Sequence, residues 1–100
     1  MKFGLKDETI DKINSVLAKY PQVSKAVIYG SRAKGNYKNG SDIDLTLHGE
    51  LDLTIQFKID NNLDDLLLPY TFDLSIFSKL TDPEFISHIE RVGQVFYERG

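Results

Sequence analysis

From Asp42 to His48 the chain alternates strictly, with Ile43, Leu45 and Leu47 set against Asp42, Asp44, Thr46 and His48. A two-residue period belongs to a β-strand, whose successive side chains leave opposite faces. A helix would send Asp42 and Asp44 to nearly opposite sides; a strand sets them side by side. The chain must therefore build a sheet with one apolar face to cover and one face where two carboxylates are neighbours. Phe72 to Phe77 alternates in the same way, with Phe72, Leu74 and Ile76 opposite Asp73 and Ser75.

The remaining pattern supplies what covers that sheet. Ile10, Ile13, Val16, Leu17 and Tyr20 fall at helical spacing, with Asp7 expected as the N-cap and Pro21 ending the run. Lys25 to Tyr29 reads as a short interior strand, because it is apolar on both sides. Gly30-Ser31 breaks it, and a polar stretch with glycines at 35 and 40 follows. A second helix is expected over Leu53 to Leu68, with Ile55, Ile59, Leu63, Leu66 and Leu67 on one face and Pro69 beyond its end. Asp82-Pro83 pairs a capping residue with proline at the first helical position. The last helix carries Phe85, Ile86, Ile89 and Val92, and Gly93 breaks it before an edge strand around Val95 to Tyr97. The expectation is one α/β domain over residues 1–100, with a mixed three- to four-stranded sheet. Helices should pack mainly on one face, leaving the carboxylates on the more open one.

Two adjacent carboxylates repel unless a cation neutralises them. Hard oxygen ligands suit Mg²⁺, which keeps several waters and completes its shell with substrate phosphates. Asp73 falls on the polar face of its own strand. Three carboxylates converging there would suit two metal ions about 4 Å apart, the arrangement that clamps an in-line phosphoryl displacement. Gly30-Ser31 adds the second half of a site. A glycine permits a sharp turn that brings backbone amides close to an anion. A short helix begun at Ser31 would aim its first N–H groups at phosphates. Arg32 and Lys34 bring positive charge to the same spot.

Composition closes other routes. The chain contains no cysteine, which excludes disulfides, thiolate zinc sites and cysteine nucleophiles. Its net charge is −3 and its basic residues are dispersed, so direct nucleic-acid binding is not expected. No apolar run reaches membrane-spanning length and no signal-peptide pattern opens the chain, so the cytoplasm is the expected location and no membrane partner is expected.

The stretch Ile28-Tyr29-Gly30-Ser31-Arg32-Ala33-Lys34-Gly35, followed by Ser41-Asp42-Ile43-Asp44-Leu45, resembles the signature of the DNA polymerase β nucleotidyltransferase superfamily. Within it, the chain is most similar to the stand-alone minimal nucleotidyltransferases. Their motif is Gly-Ser, ten residues, then Asp-x-Asp; here ten residues, Arg32 to Ser41, separate Ser31 from Asp42. Phe72-Asp73-Leu74 stands where the family places its third carboxylate, so the resemblance covers nearly the whole chain. Tyr29 replaces a common phenylalanine and Lys34 a common arginine; neither change removes a catalytic group.

The resemblance implies a polymerase-β-like fold and an Mg²⁺-dependent transfer of a nucleoside monophosphate, AMP from ATP. It implies that Asp42, Asp44 and Asp73 are catalytic and hold two Mg²⁺ ions, with Asp73 also helping to deprotonate the acceptor hydroxyl. Gly30, Ser31 and Arg32 would bind the nucleotide phosphates. It further implies a HEPN-type ribonuclease toxin as partner, with this chain as the antitoxin that places AMP on it. Two alternatives stand beside this reading: an antitoxin that acts by occlusion alone, and a transferase for a small molecule such as an aminoglycoside.

Several residues read as plain structure. Ser41 is expected to cap the turn into its strand, and Asn36 to Gly40 to form a mobile turn. His48 and His88 have no ligand partner at suitable spacing. Asp60, Asp64 and Asp65 belong to a solvated helix face, and Tyr37, Tyr70 and Tyr97 are expected to pack rather than stack on a base.

Overall fold

The computed structural model describes residues 1–100. Its elements run α1 (Asp7–Ala18), β1 (Val23–Tyr29), α2 (Ser31–Lys34), β2 (Ile43–Gly49), α3 (Leu53–Asp64), β3 (Phe72–Ile76), a 3-10 turn (Phe77–Lys79), α4 (Pro83–Val92) and β4 (Gln94–Glu98). The strands form one four-stranded sheet in the order β3-β2-β1-β4. β1 pairs antiparallel with both β2 and β4, while β2 and β3 run parallel. This is the mixed α/β sheet expected from the pattern.

Alternation decides the two faces. Ala26 and Ile28 of β1 and Ile43, Leu45 and Leu47 of β2 are fully buried in one cluster with Ile13 and Leu17 of α1 and Ile59 and Leu63 of α3. Burying each such side chain contributes about 1.5–3 kcal/mol, so this layer carries most of the fold's stability. Helix α4 takes part of the opposite face, where Val27, Tyr29 and Ile89 pack with Phe77, Leu80, Phe85 and Val92 around them. The polar face is thus only half open. Gly93, just past α4, makes this close approach possible. A Cβ there would lie 2.4 Å from the Ile89 carbonyl oxygen and 2.7 Å from a Val27 methyl.

Three local details differ from the sequence reading. Lys6, not Asp7, is the N-cap of α1, and its side chain makes no capping bond. Asp7 and Glu8 instead sit in the first turn, where carboxylates complement the positive end of the helix. Helix α3 stops at Asp64 rather than Leu68. Leu67 adopts a left-handed φ of 55° and lies 89% exposed. A left-handed residue ends a helix, and the chain then turns so that Leu66 and Leu68 still reach the core. Helical periodicity alone could not reveal the stop, because Leu63, Leu66 and Leu67 keep helical spacing. Finally, the segment Asn36 to Gly40 is tied down. Lys38 N donates to Ser41 Oγ at 2.8 Å, Ser41 N donates to Lys38 O at 3.0 Å, and the Tyr37 ring lies against Gly4.

Asp82 behaves as expected, its Oδ1 accepting from Glu84 N at 3.0 Å ahead of Pro83. Arg99 ties the end of β4 to the α1–β1 connection by donating to the carbonyls of Ala18, Tyr20 and Val23. No helix is long and apolar enough to cross a membrane.

Candidate active site

Register brings the carboxylates together. Tyr29 of β1 pairs with Asp44 of β2, and Asp44 pairs in turn with Asp73 of β3. Directly paired residues project from the same face, so three neighbouring strands present Tyr29, Asp44 and Asp73 as one row. Asp42 lies just before β2, exposed and two residues from Asp44. The Asp44 carboxyl is pushed up to about 6, first by burial, then by the negative charges of Asp73 and Asp42; Arg32 opposes the shift. A carboxyl held this way marks an acidic patch short of positive charge.

The turn at Gly30 completes the arrangement. Gly30 caps α2 with φ 74° and ψ −154°, a conformation nearly restricted to glycine. A side chain there would also run into Asp44 Oδ2. The close approach sets the start of α2, with the first amides of Ser31–Lys34, directly beside the carboxylate. A helix this short has little summed dipole; what it offers an anion is its individual unpaired N–H groups.

Arg32 is not a solvated charge, and its guanidinium is engaged elsewhere. The residue is 2% exposed. Nε and Nη2 both donate to Ser41 O, at 3.1 and 2.8 Å, and Nη1 donates to Phe3 O at 2.9 Å. Tyr37 and Tyr70 flank the cation, their ring centroids 5.5 and 4.9 Å from its central carbon. Arg32 therefore braces the N-terminal turn against the entry to β2, which carries Asp42. Gln94 of β4 braces the same helix from the other side, its side-chain amide donating to Ala33 O at 2.8 Å.

Other candidates fall out as expected. His48 stacks on Phe77 with centroids 4.5 Å apart, and His88 meets the edge of Tyr29. Tyr70 and Tyr97 pack against the main core.

Three residues of the working face were not singled out by sequence reasoning. Tyr29 is 5% exposed, and its ring is held by Phe85 at 5.4 Å. Burial, with Asp73 and Asp44 nearby, pushes its hydroxyl up to about 12, although Ser75 beside it acts in the other direction. Thr46 and Ser75 form the next rung on the same face. Both hydroxyl oxygens are buried without a hydrogen-bond partner. The period-two extension from Asp44 to Thr46 and from Asp73 to Ser75 was the available signal.

These groups suit a hard divalent cation in one specific sense. No set of three or more acidic or histidine side chains forms a ready-made protein cage for a metal ion. The carboxylates instead offer oxygen ligands around a patch lacking positive charge, which fits an ion that takes the rest of its shell from water and substrate phosphate.

The model of the family described as polymerase beta, nucleotidyltransferase, matches residues 11–100. No curated protein matches the chain. Among solved structures, a toxin–antitoxin complex with AMP-PNP is similar at TM-score 0.72 and 19% identity, over 90% of this chain and 73% of the matched one. A complex of tri-AMPylated Shewanella oneidensis HEPN toxin with its MNT antitoxin gives TM-score 0.70 and 16% identity, over 95% of this chain and 74% of the other. A candidate nucleotidyltransferase from Sulfolobus solfataricus gives TM-score 0.52 and 17% identity, over 96% and 92%. At such identities the likeness to solved structures establishes the fold, and the family match establishes the lineage. With its motif residues arranged around one acidic row, the chain belongs to the polymerase β nucleotidyltransferase family and is a nucleotidyltransferase.

Proposed function

We propose that the chain transfers AMP from ATP to a hydroxyl of a partner protein, as the antitoxin of a HEPN-type toxin. The observation that carries the chemistry is the row Asp44–Asp73 beside the Gly30–Ser31 turn. Support for the partner comes from the similar toxin–antitoxin complexes, one with AMP-PNP and one with an AMPylated HEPN toxin.

In this reading the acceptor oxygen attacks the α-phosphorus of ATP. The bond from that phosphorus to the oxygen bridging to the β-phosphate breaks, pyrophosphate leaves, and the acceptor proton passes to Asp73. Asp42, Asp44 and Asp73 would hold the Mg²⁺, which would supply charge neutralisation for the transferring phosphate. Backbone amides at Gly30 and Ser31 grip the outer phosphates. Arg32 serves by positioning this loop and lending a nearby positive charge. Little covalent work falls to the protein in such transfers, so alignment and electrostatics carry the rate.

The test is incubation with ATP, Mg²⁺ and a HEPN-type partner protein, read by intact mass. Each transferred AMP adds the mass of one adenylyl group to the partner. Complex formation without any mass change would leave occlusion alone as the mode of action.

A further inference from the structure

We propose that the hydroxyls of Tyr29, Thr46 and Ser75 form a positioning layer beneath the active site, which holds Asp44 and Asp73 in their ion-ligating orientation. This inference rests on the transferase reading of that site.

The geometry begins with register. The pair Thr46–Ser75 is the next same-face rung beyond Asp44–Asp73 on the same two strands. Same-face neighbours along a strand lie roughly 6–7 Å apart at the backbone, a gap that two side chains span. Tyr29 starts from the acidic row on β1, and its hydroxyl reaches across to the neighbourhood of Ser75. Phe85 and His88 of α4 fix its ring from above. The three hydroxyl-bearing residues therefore share one sheet face with the two carboxylates, on the same or the next rung.

Two of these hydroxyls lack a partner. Thr46 is fully buried and its Oγ1 has no hydrogen-bonding partner; Ser75 Oγ is also buried without a well-formed hydrogen bond, although the Tyr29 hydroxyl lies beside it. A buried polar group left unpaired costs about 1–3 kcal/mol, and valine or alanine would fill these places without that penalty. All three can donate, and Asp44 and Asp73 are their same-face neighbours on the sheet.

Carboxylates that ligate metals are themselves held by hydrogen bonds, and loss of such support typically lowers metal affinity by about 10–100-fold. Asp44 and Asp73 are paired neighbours on one face, so in the free protein their like charges work against one shared orientation. Once a cation removes that repulsion, each carboxylate can turn one oxygen to the ion and accept from the hydroxyl layer with the other. The layer is then unsatisfied in the free protein and satisfied in the loaded one. Its removal has an unusual signature: unchanged or higher stability without ligand, and weaker ion and nucleotide binding.

The experiment compares wild type with Thr46→Val, Ser75→Ala and Tyr29→Phe, using Thr46→Ser as the variant that keeps a hydroxyl. Thermal melting gives the stability of each free protein, and calorimetry gives its affinity for ATP in the presence of Mn²⁺. The expected result is melting at or above the wild-type temperature, about tenfold weaker Mn²⁺–ATP binding, and wild-type binding in Thr46→Ser. Wild-type affinity in all three variants overturns the layer while leaving the transferase reading intact. So does a steep loss of stability in all three with affinity retained per folded molecule, since the hydroxyls would then serve the fold alone. If wild type itself fails to bind Mn²⁺–ATP, the transferase reading falls first and the layer with it.

Discussion

Gly30 and Asp44 share one space: a Cβ on residue 30 would lie 2.4 Å from Asp44 Oδ2. The hydrogen at that position is what lets the Gly30–Ser31 turn and the Asp44 carboxylate approach each other. Gly30→Ala should therefore do two separable things. The positive φ with extended ψ costs an alanine about 1–3 kcal/mol, and Asp44 must move away. A displacement near 1 Å can reduce a rate about 100-fold, so transfer should fall by at least that factor while the protein still melts cooperatively. Comparing the rate per folded molecule with the melting curve checks this. Retained activity would mean that the turn can relax without moving Asp44.

The acidic row should be visible in the pH dependence of stability. Asp44 titrates near 6 when folded, against 3.8 as its ordinary value. The folded state thus binds its proton more tightly than the unfolded chain, and this contribution is fully present below about 3.8. It is lost as pH rises through about 6. Asp60 on α3 is shifted in the same direction by burial and Asp64, so wild type alone cannot isolate the effect. Asp44→Asn should flatten the decline in melting temperature between pH 4 and 6 relative to wild type, and it should abolish transfer. Identical pH profiles would show that Asp44 is not the group responsible.

Arg32 offers a choice between bracing and binding. Lysine keeps the charge but cannot donate through a planar fork to Ser41 O and Phe3 O or lie flat between Tyr37 and Tyr70. Arg32→Lys should destabilise the protein by about 2–3 kcal/mol, measured by denaturant unfolding, with ATP affinity of the folded fraction changed less than about threefold. A large loss of ATP affinity with stability retained would instead make Arg32 a phosphate ligand.

Ion dependence should separate this site from a generic anion cradle. Because the carboxylate patch repels a triphosphate and forms no complete metal cage, ATP alone should bind poorly. Adding Mg²⁺ should tighten binding by at least about tenfold, equivalent to about 1.4 kcal/mol. Calorimetry with and without the ion measures this directly. Equal affinities would remove the carboxylates from nucleotide binding.

Sequence by itself determined the parts of this protein governed by local periodicity. The alternation around Asp44 and Asp73 defined two strands and the face of each carboxylate, and Asp82-Pro83 placed the start of α4. Gly-Ser, at ten residues from Asp-x-Asp, carried the family resemblance. Where local signals competed, the sequence was insufficient: leucines at helical spacing ran past the true end of α3, because the left-handed turn at Leu67 has no glycine to announce it. Tertiary structure alone decided the rest. Pairing register, set between strands far apart in the chain, put Tyr29, Asp44 and Asp73 in one row and Thr46 with Ser75 behind it. Burial made Arg32, expected to reach the nucleotide phosphates, an internal brace, because its partners are carbonyls from the N-terminal turn and the entry to β2. Helix α4 closed over half of the polar face, since only in three dimensions do Val27 and Tyr29 meet Phe85 and Ile89.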